Sequence, residues 1–132
     1  MRTKAPTSEG EDIAIRLENV KARIRTAITH SSLATAHPTL VAVSKTIGQH
    51  PIETLLRWGH TSFGENRVQE ALSKWPVLKD KYPEAKLHLI GQLQTNKVKE
   101  AAKLFDVIET VDRPKLVEEL ARFRDRNGFC PA

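Results

Sequence analysis

The sequence holds a single cysteine, Cys130, in 132 residues. No disulfide framework can form within one such chain, and a reducing, cytoplasmic setting is the expected one. No apolar run approaches the 18 or more residues of a membrane-spanning helix. The opening residues, MRTKAPTSEGED, lack the apolar stretch of a secretory leader. Aromatic residues make up 5% of the chain and are not interleaved with basic ones as on nucleic-acid-binding surfaces. The glycines form neither a GxGxxG nor a P-loop pattern, so nucleotide binding has no motif behind it. The five histidines, at 30, 37, 50, 60 and 88, stand at no metal-ligand spacing with carboxylates or the cysteine. Length adds a bound of its own. One domain with a modest core is expected, whereas a complete (β/α)8 barrel needs about 200 residues or more.

The net charge of +5 is unevenly spread. Residues 74–103 carry seven Lys against three acids, at Lys74, Lys79, Lys81, Lys86, Lys97, Lys99 and Lys103. Such a patch attracts phosphates or nucleic acid by counterion release. Without an RNA-binding signature beside it, a set of solvated Lys on helix surfaces is the favoured reading.

Apolar periodicity organises the rest. Ser8 and Glu11 have capping-box spacing, and Ile13, Leu17, Val20, Ile24 and Ala27 follow at helical intervals. Residues 1–36 thus form a helical lead-in, with 30–38 a polar connection. Residues 39–128 then read as four β–α units. The strands are expected at 40–44, 61–64, 87–91 and 107–111. The helices are expected at 51–58, at 67–81 with Pro76 a candidate break, at 96–105, and from an Asp112 N-cap candidate to Gly128. Strands alternating with helices imply an α/β fold with a parallel sheet, either a small open sheet or half of an eight-stranded barrel. Both gather ligands at the carboxyl ends of the strands.

The strand ends carry Ser44-Lys45-Thr46, Gly64-Glu65-Asn66, the 91–97 segment GQLQTNK, and Val111-Asp112. Lys45 follows directly on an apolar strand. An amine against low-dielectric surroundings loses its proton more readily, and a neutral amine can attack an aldehyde to form a Schiff base. The competing reading has Lys45 snorkelling to water from the sheet rim. Ser44 and Lys45 do not make a nucleophile pair, because adjacent strand residues point to opposite faces. Val41, Val43 and Lys45 share one face; Leu40, Ala42 and Ser44 share the other. Asn66, with Gln69 three positions on, reads first as a helix N-cap and second as a ligand-binding amide. His88 lies inside an apolar strand, where a histidine with one satisfied hydrogen bond is commoner than a catalytic base. Gly64 and Gly91 suit tight turns or close backbone approach.

Four stretches together carry a resemblance: LVAVSKT at 40–46, FGENRVQE at 63–70, HLIGQLQTNK at 88–97 and VIETVD at 107–112. In this order the chain resembles the pyridoxal phosphate homeostasis protein family, itself similar to the barrel domain of alanine racemase. The resemblance spans roughly residues 10–125. It implies that the chain is the first half of a (β/α)8 TIM barrel of the pyridoxal-phosphate-binding type, so that 1–132 is a single, partial barrel domain. It implies that Lys45 holds pyridoxal 5′-phosphate as a Schiff base, with Asn66 and His88 near the cofactor. Nothing here matches the Ser/Gly-rich phosphate loop or the Arg beside the pyridine nitrogen that the family's later strands supply. The ending, RNGFCPA at 126–132, matches nothing further in the pattern. A truncated member is therefore expected, exposing two strand edges and an apolar sheet face through which two copies can associate.

The leading functional expectation is a carrier of pyridoxal phosphate in vitamin B6 homeostasis, exchanging with amino acids and without turnover of its own. No pair of acid–base groups flanking a substrate carbon is assignable, which argues against catalysis. The runner-up is an alanine-racemase-like enzyme. A third reading, from another class, is a non-catalytic half-barrel that binds RNA or protein through the Lys74–Lys103 patch. No metal site and no membrane partner are expected.

Overall fold

Short β-branched and apolar runs, each followed by an amphipathic stretch, produce the expected alternation in the computed structural model, which describes residues 8–32, 35 and 37–132. The long lead-in helix α1 spans Ser8–Thr29; the Ser8 side chain, and with it the capping box, lies outside the described residues. Four strands follow: β1 (Ala42–Val43), β2 (Ser62–Glu65), β3 (Lys86–Leu89) and β4 (Val107–Ile108). Between and after them run α2 (Gln49–Arg57), α3 (Val68–Lys81), α4 (Val98–Leu104), entered through a 3-10 turn at Thr95–Lys97, and α5 (Pro114–Asn127).

All strand pairs are parallel and the spatial order is β1-β2-β3-β4. Side chains from α2, α3, α4 and α5 enter one core with Phe63, Leu87, Leu89 and Ile108 of the sheet. A doubly wound sheet carries helices on both faces and reverses its strand order. Here the order never reverses and the core lies on one face, so the architecture is the first half of a (β/α)8 barrel. Trp75 and Phe63 anchor the core, with ring centroids 5.2 Å apart.

Two local expectations are corrected. Helix α3 runs unbroken through Pro76. Pro76 and Leu72, whose carbonyl loses its usual donor, both lie on the exposed side, and the buried Trp75 and Leu78 hold the helix in place. The N-cap of α5 is Arg113, not Asp112, with Pro114 at the first helical position and Gly128 closing the helix in the left-handed region at φ 77°. Asp112 instead pairs with Arg113 at 2.7 Å. The chain's last residue also extends the pattern. Ala132 donates its N–H to the Asp106 carbonyl (3.1 Å) and accepts from the Ile108 N–H (2.8 Å), a parallel-type pairing on the outer edge of β4.

Candidate functional site

The open face of the sheet is built by alternation. Val43 is in register with Gly64, Gly64 with His88, and His88 with Val107, forming one row of side chains on the face away from the helices. Gly64 leaves that row bare at its centre. A Cβ there would meet Val41 Cγ1 at 3.1 Å and Ile90 Cδ1 at 3.3 Å, so those side chains lean over the gap. Lys45 lies one pleat beyond Val43, at the carboxyl end of β1, and is exposed to solvent rather than buried against the core. Among the described residues its ammonium makes no hydrogen bond or ion pair.

Asn66 stands in the matching position beyond Gly64. It does not cap α3, because Arg67 occupies the N-cap and the helix begins at Val68. Its backbone carbonyl instead lies against Gly91, where a Cβ would come within 2.1 Å of the oxygen. Gly91 therefore serves the close approach of two strand-end loops. His88 sits lower on the open face, two inter-strand spacings or about 10 Å from the β1 column. Its Nδ1 is 2.9 Å from Glu109 Oε1. The sheet thus brings Lys45 and Asn66 to neighbouring strand ends and sets His88 one row below and one strand further on.

The turn that presents Lys45 is unusual. Residues Ser44 to Ile47 close with an Ile47 N–H to Ser44 carbonyl bond of 3.1 Å. Thr46 at its third position has φ 62°, the one non-glycine residue in the left-handed region among those described. Turns of this kind favour Gly or Asn there, and a β-branched residue held in that region costs of order 1–3 kcal/mol. Such strain persists only where surrounding contacts outweigh it.

Those contacts come from Lys74, expected from the sequence among the solvated Lys, and from Glu65 and Glu70. Lys74, on α3, is 7% exposed, and Glu65, on β2, is fully buried. Lys74 Nζ lies 2.6 Å from Glu65 Oε1 and 3.0 Å from Glu70 Oε2, and it donates to the carbonyls of Ser44 (2.8 Å) and Ile47 (2.9 Å). Glu65 Oε1 also accepts from Ser44 Oγ (2.8 Å) and Trp75 Nε1 (3.1 Å). Glu70 Oε2 accepts the Thr46 N–H at 2.6 Å. The hydrogen bond from the Lys74 ammonium is the largest influence on the Glu70 carboxyl and, joined by the Thr46 amide, holds it below its ordinary range against the opposing effect of desolvation. A signal for Lys74 was present in the chain: it falls between Ala71, Trp75 and Leu78, on the apolar stripe of its helix.

The basic patch is partly consumed in this way. Besides Lys74, Lys79 pairs with Asp106 at 2.7 Å and Lys81 approaches Glu53 at 3.7 Å. Ser44 and Lys45 occupy opposite faces, as alternation requires, with Ser44 buried. Among the described residues no cluster of His, Cys, Asp and Glu could hold a metal ion, and no helix is long and apolar enough to cross a membrane. A cleft of about 420 Å³, lined by Lys21, Arg25, His37 and His60 among others, opens at the amino end of the sheet, remote from the strand ends.

Comparison with known proteins adds the family context. The model of the alanine racemase N-terminal domain matches residues 15–129. The pyridoxal phosphate homeostasis protein of Buchnera aphidicola subsp. Acyrthosiphon pisum is 44% identical over 89 residues, covering 67% of this chain and 44% of that protein. The protein of that name from Vibrio cholerae is 36% identical over 116 residues, 84% of this chain and 48% of its own length. PipY of Synechococcus elongatus PCC7942, solved with PLP bound, superposes with a TM-score of 0.73 at 36% identity, covering 90% of this chain and 51% of PipY. The chain spans about half the length of the curated relatives it matches.

Proposed function

Because the chain belongs to the family of the alanine racemase N-terminal domain, we propose that it binds pyridoxal 5′-phosphate through Lys45 and acts in vitamin B6 homeostasis as a carrier. The observation that carries this reading is the state of Lys45: an exposed ammonium without a partner among the described residues, on a strained turn at the carboxyl end of a parallel strand. Barrel folds bind their ligands at that end. Support from relatives lies in PipY with PLP bound and in homologues named for pyridoxal phosphate homeostasis.

When bound, pyridoxal phosphate supplies an aldehyde that a neutral primary amine attacks reversibly with loss of water. Lys45 offers that amine. Asn66, at the neighbouring strand end, offers an amide that can donate to or accept from a ligand's polar edge. His88, oriented by Glu109 through Nδ1, keeps Nε2 for a ligand or a proton on the open face. Gly64, flanked by Val41 and Ile90, gives this face a flat apolar floor. Covalent attachment through the Lys45 amine anchors the binding, and free amino acids are the expected exchange partners for the aldehyde.

The test is direct. The purified chain is mixed with pyridoxal phosphate, reduced with borohydride and mapped by peptide mass. Label concentrated on Lys45, and lost in Lys45→Ala, is the expected result. Absence of label, or label spread evenly over the surface lysines, would overturn the reading.

A further inference from the structure

Two lysines stand at the carboxyl end of β1, and their surroundings are opposite. Lys45 is exposed. Lys74 has four oxygen acceptors within 3.0 Å for its three protons: Glu65 Oε1, Glu70 Oε2 and the carbonyls of Ser44 and Ile47. Those two carbonyls bracket Lys45 in the chain, one at the residue before it and one two residues after. The amide between them, that of Thr46, is held by Glu70. The turn closes with one backbone bond, from the Ile47 N–H to the Ser44 carbonyl. Its Ser44 and Ile47 carbonyls and Thr46 amide are held from α3 by one cation and one carboxylate a helical turn apart.

We propose that Lys74 and Glu70 form a positioning clamp that fixes the Ser44–Ile47 turn and thereby presents Lys45, while Glu65 anchors the clamp in the core. The inference deepens the reading of Lys45 as the attachment point and rests on it for its functional meaning. The left-handed Thr46 is the conformation the clamp maintains. Glu70 accepts the Thr46 N–H, and Lys74 draws the flanking carbonyls toward α3. Removing the clamp lets the turn relax, and Lys45 loses its fixed direction. Lys74 is a positioning residue and not a second attachment point, because its protons are spent on four oxygens inside the protein.

Two variants test this. Glu70→Ala removes the partly exposed arm, and Lys74→Met with Glu65→Gln removes the buried pair without leaving a lone charge. In the cofactor-free chain, amide hydrogen exchange at Thr46 and Ile47 is expected to rise roughly tenfold or more in both, with Leu87 and Leu89 in β3 unchanged. With pyridoxal phosphate and borohydride, the preference for Lys45 over the exposed Lys99 and Lys103 is expected to fall, and Lys74 stays unlabelled in the natural sequence. A purely structural role would not move that partition while the β3 amides stay protected. Unchanged exchange at Thr46 overturns the clamp, and so does faster exchange with an unchanged Lys45 preference. Failure of the natural chain to label Lys45 would sink the cofactor reading alone, since the exchange measurement decides the clamp without cofactor.

Discussion

At the end of β1 two adjacent side chains leave the backbone in opposite directions, and each meets a different solvent. Ser44 turns toward the helices and donates to Glu65 Oε1 at 2.8 Å, while Lys45 turns toward water. The Ser44 hydroxyl matters because Glu65 is fully buried and its other oxygen, Oε2, has no hydrogen-bond partner among the described residues. A carboxylate in that position depends on each donor it has. Ser44→Ala is therefore expected to destabilise the fold by about 1.5–3 kcal/mol, the usual range for a hydrogen bond to a charged group. Urea denaturation measures it; a change within about 0.5 kcal/mol, typical of inert surface positions, would show that Glu65 does not rely on Ser44. That Lys45 ends an apolar strand was legible from a five-residue run and the period of two. That Thr46 adopts a left-handed φ was not, because no local preference of threonine points there.

The elements were legible to the extent that their signals are local. Each strand announced itself by a short apolar run and each helix by an apolar stripe, and all four β–α units are where those patterns put them. Boundaries moved by a few residues, and Pro76 did not break α3, since the packing of Trp75 and Leu78 outweighs one lost backbone bond on the solvent side. The contacts between loops were beyond reach. Gly91 is indispensable because the Asn66 carbonyl, 25 positions earlier, fills the space a side chain would need. Gly91→Ala is expected to cost about 1–3 kcal/mol, as overpacking does, by forcing two loop backbones apart. Gly64→Ala meets only the movable ends of Val41 and Ile90, and its cost is expected to stay below about 1 kcal/mol. Equal midpoint shifts in urea for the two variants would contradict this ranking.

For the molecule as a whole, two groups among the described residues set how stability follows pH on the acid side of neutrality. Burial pushes the His60 imidazole below its ordinary value, against the opposing pull of its hydrogen bond to the Ser62 carbonyl. Glu70 is lowered by its hydrogen bond with Lys74. In each case the unfolded chain binds the proton more readily than the folded one, so stability rises with pH across the window between the two states. The His60 contribution is complete above about pH 6.5 and declines as pH falls below it; that of Glu70 is complete above about pH 4.3 and is lost as pH falls through its lowered native value. The urea midpoint is expected to drop between about pH 7.5 and 5.5, and the drop to shrink in His60→Gln. A midpoint that climbs on acidification would contradict the assignment.

The sequence by itself determined the order of β–α units, the parallel sheet they imply and the strand-end position of Lys45. These follow from hydrophobic periodicity and turn chemistry, which are properties of neighbouring residues. Only the tertiary structure decided that the helices cover a single face, that Lys74 and Glu65 meet in the core, and that their contacts hold the turn around Lys45. Burial of a charge is settled by what segments distant in the chain place around it. A lysine in the most basic stretch of the sequence therefore became the most enclosed cation described in the fold.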